Sequence, residues 1–80
     1  MKAENFKIIE QLHQFPDTGN AYRKELNIID WFGNGPRYDI RGWSDNHTKM
    51  TKGISLTESE FKELIEFGIQ HLEGMEHGNV

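Results

Sequence analysis

Arg37-Tyr38-Asp39-Ile40-Arg41-Gly42-Trp43-Ser44 alternates with a period of two: Tyr38 and Ile40 point one way, while Arg37, Asp39, Arg41 and Trp43 point the other. Turn signals bound the stretch. Upstream, Gly33-Asn34-Gly35-Pro36 places two residues that tolerate positive φ, Asn34 and Gly35, where a type I′ hairpin needs them. Pro36 follows, and its missing N–H suits the start or edge of a strand. Downstream comes the polar run Ser44-Asp45-Asn46-His47-Thr48. A strand held between two turns predicts antiparallel neighbours.

Those neighbours are legible. Ala21 to Phe32 sets Tyr22, Leu26, Ile28 and Phe32 on one face and Arg23, Glu25, Asn27, Ile29 and Trp31 on the other. Lys49 to Leu56 sets Met50, Ile54 and Leu56 against Thr51, Gly53 and Ser55. Lys52 shares the apolar parity, but it lies near the strand's start, where a bulge would turn it outward. Phe6 to Phe15 is read as a further strand. Its alternation is imperfect, and a helical reading through Phe6, Ile9, Leu12 and His13 competes. The expected strands are about 5–15, 21–32, 36–44 and 49–56.

Thr57-Glu58-Ser59-Glu60 is a capping box, with Thr57 as N-cap and Glu60 at N3, and it opens a helix expected over about 58–73. Residues 74–80 are expected to be a flexible tail. Phe61, Leu64, Ile65, Phe67, Ile69, Leu72 and Met75 spread over roughly 200° of the helix, about twice what one sheet face covers. The surplus predicts a homodimer whose seam uses Phe61, Leu64, Ile65, Phe67, Gly68 and Ile69. The fold class is α+β: a four-stranded curved antiparallel sheet followed by a C-terminal helix (ββββα), one domain over 1–80, dimeric through the helix.

With 80 residues and no cysteine, disulfides, thiolate zinc and cysteine nucleophiles are excluded. A core this small supplies about 3–5 kcal/mol unaided, which leaves oligomerisation as the available staple. No signal peptide or membrane span is read, so the expected location is the cytoplasm, away from membranes. The net charge of −4 is uneven. Residues 57–80 carry −5, whereas residues 22–52 carry +2 from Arg23, Lys24, Arg37, Arg41, Lys49 and Lys52 against Glu25, Asp30, Asp39 and Asp45. Partners respond to the local field rather than to the chain total.

The sheet faces differ in chemistry. Tyr22, Leu26, Ile28, Tyr38, Ile40, Ile54 and Leu56 match the helix and are expected to form the core. Arg23, Ile29, Trp31, Arg37, Arg41, Trp43, Thr51 and Ser55 are expected to stay uncovered. Two open tryptophans among arginines suit single-stranded nucleic acid, because unpaired bases stack on the rings and cations neutralise the phosphates. The competing reading buries Trp31 and Trp43 in a minor core under loops.

The D-I-R…W element at 39–43 and Lys52-Gly-Ile-Ser-Leu-Thr-Glu-Ser-Glu-Phe resemble the single-stranded-DNA-binding domain of the transcriptional coactivator positive cofactor four (p15). The bacterial YdbC-type members are more similar still, and the likeness there extends to Tyr22-Arg-Lys-Glu-Leu-Asn and Trp31. The resemblance implies four curved antiparallel strands and then a helix, in a homodimer whose paired grooves hold single strands; the residues themselves show no metal spacing or catalytic set, so no cofactor, metal or enzymatic activity is expected. The leading expectation is a largely sequence-independent binder of single-stranded DNA, with RNA as an alternative ligand, in transcription regulation or in replication and repair, with the transcription machinery as a further partner. By that resemblance Arg41 and Lys52 contact phosphate and Trp31 and Trp43 stack bases, with Lys24, Arg37 and Lys49 nearby; Arg23, on the same face as Trp31 by parity, is expected to support them. Thr51 stands where eukaryotic members often carry another basic residue, and Gly42 is smaller than its usual counterpart. A different function also fits the residues: a dimer that grips a peptide with its tryptophan face.

Other signals are weak. His13, His47, His71 and His77 lack metal spacing and are expected at the surface. Glu25, Asp30 and Asp39 do not resemble a nuclease metal set, and an ion pair of Asp39 with Arg37 or Arg41 is the simpler expectation.

Overall fold

The computed structural model describes residues 5–76. The elements are β1 (Phe6–Gln14), β2 (Arg23–Trp31), β3 (Pro36–Trp43), β4 (Ile54–Leu56) and α1 (Glu58–Glu76). The strands form one open, curved antiparallel sheet in the order β1-β2-β3-β4.

β1 explains its own irregular pattern. Its pairing with β2 slips between Ile8 and Glu10 and again between Gln11 and His13. Each extra residue flips the parity, so Phe6, Ile8, Gln11 and Gln14 face the same side as Trp31, Ile29, Asn27 and Glu25. Ile9 and Leu12 sit at the slips and are exposed.

The fourth strand is shorter than expected. Ile40 pairs with Ile54, yet Trp43 bridges to Met50, so one residue more is inserted on the β4 side than on β3. Lys52 and Gly53 take up that bulge, and Lys52 is exposed as the sequence suggested. Gly53 packs against the Ile40 carbonyl and the Arg41 Cβ so closely that a Cβ of its own has no room. The same slip carries Thr51 away from the arginine face to lie beside Gly42, whose N–H donates to Thr51 Oγ1 at 2.9 Å.

The helix starts as its capping box dictates. Thr57 N–H donates to Glu60 Oε1 at 2.9 Å, and Glu60 N–H donates back to Thr57 Oγ1 at 3.2 Å. α1 runs on to Glu76, so residues 74–76, expected in the tail, are helical, and 77–80 lie outside the described residues. Packing of α1 on the sheet centres on Phe61, stacked on Tyr38 at 4.1 Å with the planes 5° apart. Leu64, Ile65, Phe67, Ile69, Leu72 and Met75 are each about half exposed.

The expected division of the sheet is corrected. The buried side chains are those of Glu25, Asn27, Ile29, Asp39 and Trp43, all on the face expected to be open. The opposite face, with Leu26, Ile28, Tyr38 and Ile40, is only half-buried. The physical reason is the curl. The bulges bend the strands until the side chains on the inner face bury one another, whereas α1 covers one corner of the outer face.

Candidate nucleic-acid interface

Four rings form a row on the inner face. Trp43 lies 5.2 Å from Phe6, Phe6 lies 5.3 Å from Trp31, and Trp31 lies 6.3 Å from Phe32. Exposure rises along the row. Trp43 is 1% exposed, Phe6 and Trp31 are half-buried, and Phe32 stands 57% in water. The expectation that both indoles lie open is therefore corrected for Trp43. Phe6 covers one side of it, and the His47 ring approaches to 5.5 Å.

Asp39 organises the middle of the row. Its carboxylate accepts from Arg41 Nε at 2.6 Å, Arg41 Nη2 at 2.8 Å, Ser55 Oγ at 2.7 Å and Trp31 Nε1 at 3.2 Å. A buried carboxylate needs such a set of donors to offset its lost hydration. The fork holds the guanidinium over the Trp31 ring, with Cζ 4.6 Å from the centroid. Arg41 is 12% exposed, and its charge is met within the protein.

Glu25 is the second hub. It accepts from Gln14 Nε2 at 3.2 Å and from Asn27 Nδ2 at 3.0 Å, and His47 Nε2 lies 3.0 Å from both of its oxygens. Burial alone would raise its pKa; the Asn27 amide, the His47 ring and the Gln14 amide outweigh that and hold it below the ordinary carboxylate value. His47 was expected at the surface. Instead it folds the 44–48 turn over Trp43 from a left-handed conformation, φ 59°.

The remaining expected site residues separate. Arg37, Lys49 and Lys52 are exposed. Arg37 lies across from Ile29, beside Trp31 on the inner face, and Lys52 lies in the bulge opposite Arg41. Lys24 is exposed but pairs opposite Gly42, on the outer face. Arg23 is half-buried and donates from Nε to the Phe15 carbonyl at 2.7 Å, which ties down the segment after β1. Asp39 pairs with Arg41, one of the two arginines expected. Sequence reasoning assigned Phe6 no role in the row and placed Phe32 on the core face. The Gly-Asn-Gly that follows Phe32 was the signal that strand parity had already ended there.

Among the described residues no acidic or histidine cluster fits a metal ion, and no helix is long and apolar enough to cross a membrane. The frame is an open, curved antiparallel sheet with one helix on a corner of its outer face, and its inner face carries the aromatic row and the exposed Arg37. Residues 20–67 match the family model of transcriptional coactivator p15 (PC4), and the chain belongs to this family of single-stranded-DNA-binding coactivator domains, which is non-enzymatic. It is also 46% identical over 43 residues to an uncharacterized protein of Treponema pallidum (strain Nichols). That match covers 54% of this chain and 51% of the other protein, so the chain spans about half the length of this relative.

Proposed function

We propose that this protein binds single-stranded DNA, largely independently of sequence, as a cytoplasmic homodimer without catalytic activity. The observation that carries this reading is Trp31: a half-open indole, locked by Asp39 and Arg41, with the exposed Arg37 near it on the same face. Bases stack on Trp31, and phosphates pair with Lys52, Arg37 and Lys49, with Lys24 at the margin. Arg41 acts through the stack it makes on Trp31 rather than as a free cation. Trp43 and Arg23 brace the site from behind. The half-exposed stripe of α1 and the half-buried outer sheet face supply the surface for a second copy.

Titrating the protein with labelled oligo-dT and with a duplex of equal length, over a range of salt, tests this. Tight oligo-dT binding is expected, with log affinity falling linearly in log salt by about 0.7 per phosphate contacted, and much weaker duplex binding. Equal affinity for both, or no binding, would overturn the proposal. RNA is assessed by competition with oligo-U. Binding of a peptide with little salt response would favour a protein-interaction module instead.

A further inference from the structure

We propose that Phe32 is a nucleobase-stacking residue, held out to the bound strand by a strained turn; this rests on the single-strand reading above. Asn34-Gly35, the pair suited to the β2–β3 hairpin, is not where the chain reverses. The consecutive positive φ values fall on Phe32 (58°) and Gly33 (77°), and Asn34 N–H closes the turn onto the Trp31 carbonyl at 3.0 Å. That is the φ signature of a type I′ turn, whose first central position favours asparagine, aspartate or glycine. A phenylalanine there forces its Cβ against the backbone, and a bulky residue at positive φ is a conformational outlier. A turn centred on Asn34-Gly35 would shift the Asp30–Pro36 pairing by three residues and reverse the faces of β3, so the register keeps the reversal at Phe32-Gly33.

The strain is fixed from outside the hairpin: Phe32 N–H donates to the Asn5 carbonyl at 2.9 Å. What it achieves is placement. The ring is directed into solvent at the open end of the aromatic row, next after Trp31. The open groove beside it is lined by Asn5, Phe6, Lys7 and Asp30. Lys7 and Asp30 pair on the outer face; Lys7 is exposed there, and Asp30 is engaged by Gly35 N–H at 3.1 Å. A flat ring in water, continuous with the Trp31 platform, matches an unpaired base. Local strain of this kind persists only where the surrounding structure holds it, and it clusters at ligand-contacting sites.

Two variants test the assignment. Phe32→Gly removes both ring and strain, so its thermal midpoint should rise while its oligo-dT affinity falls about tenfold. Phe32→Tyr keeps a stacking face and should bind as the wild type does. If the wild type binds and Phe32→Gly binds equally well, the inference is overturned while the single-strand reading stands; a wild type that fails to bind overturns both. A midpoint that falls in Phe32→Gly, or a loss of dimer by sedimentation, would make Phe32 a packing residue and likewise overturn the inference.

Discussion

Arg41 and Trp31 share one carboxylate: the guanidinium lies 4.6 Å above the indole, and both side chains donate to Asp39. The contact turns two side chains of different chemistry into one rigid unit on the inner face of the sheet. It also separates charge from contact, because a cation already paired inside the protein releases few counterions from DNA.

Salt therefore distinguishes the two basic residues of the matched motifs. Lys52→Gln should lower the salt slope of oligo-dT binding by about 0.7, the value for one phosphate on a single strand. Arg41→Gln should weaken binding by loosening Trp31, yet leave the slope as it was. An equal fall in slope for both variants would place the Arg41 charge on phosphate and contradict the pairing described here.

Trp43 is a stability residue. At 1% exposure, with Phe6 and His47 against its ring, Trp43→Ala should cost about 3–5 kcal/mol in urea denaturation. A loss below about 1 kcal/mol, in the range of a surface change, would mean that the indole is not sealed in.

Acid should act through Glu25. Its folded pKa is depressed, so its contribution is present above the unfolded value and is lost as pH falls through the folded one. Far-ultraviolet circular dichroism followed downward from neutral pH should show stability falling in that acid window. Glu25→Gln should start less stable and show a shallower acid dependence. An unchanged acid limb in that variant would remove Glu25 from the account.

Gly53 sets the bulge that turns Lys52 outward. Gly53→Ala drives a methyl into the Ile40 carbonyl and the Arg41 Cβ, and should destabilise by about 1–3 kcal/mol or more. A neutral result by thermal melting would show that the backbone can relax there.

The element order, the capping box and the central strand were legible because each rests on local periodicity or capping chemistry. The β1 pattern was blurred because its two slips exchange faces mid-strand, which no fixed period reproduces. The side of the sheet that is buried was misread for a related reason. Parity separates two faces but does not say which way a sheet curls, and Glu25, Asn27 and Asp39 look like surface residues until their partners are known. Arg41 and Lys52 stood out as motif residues, yet only the folded chain separates a cation paired to Asp39 from one in solvent. Phe32 was assigned by strand parity to a strand that ends at Trp31.

Trp31 and Trp43 are the two tryptophans of the chain, so each can be observed alone. Oligo-dT titration of the Trp43→Phe variant, which keeps Trp31, should quench its fluorescence strongly and saturably. The Trp31→Phe variant, which keeps Trp43, should stay nearly constant. Quenching of the Trp43 signal with a silent Trp31, or no change in either, would contradict a strand laid across the open end of the aromatic row.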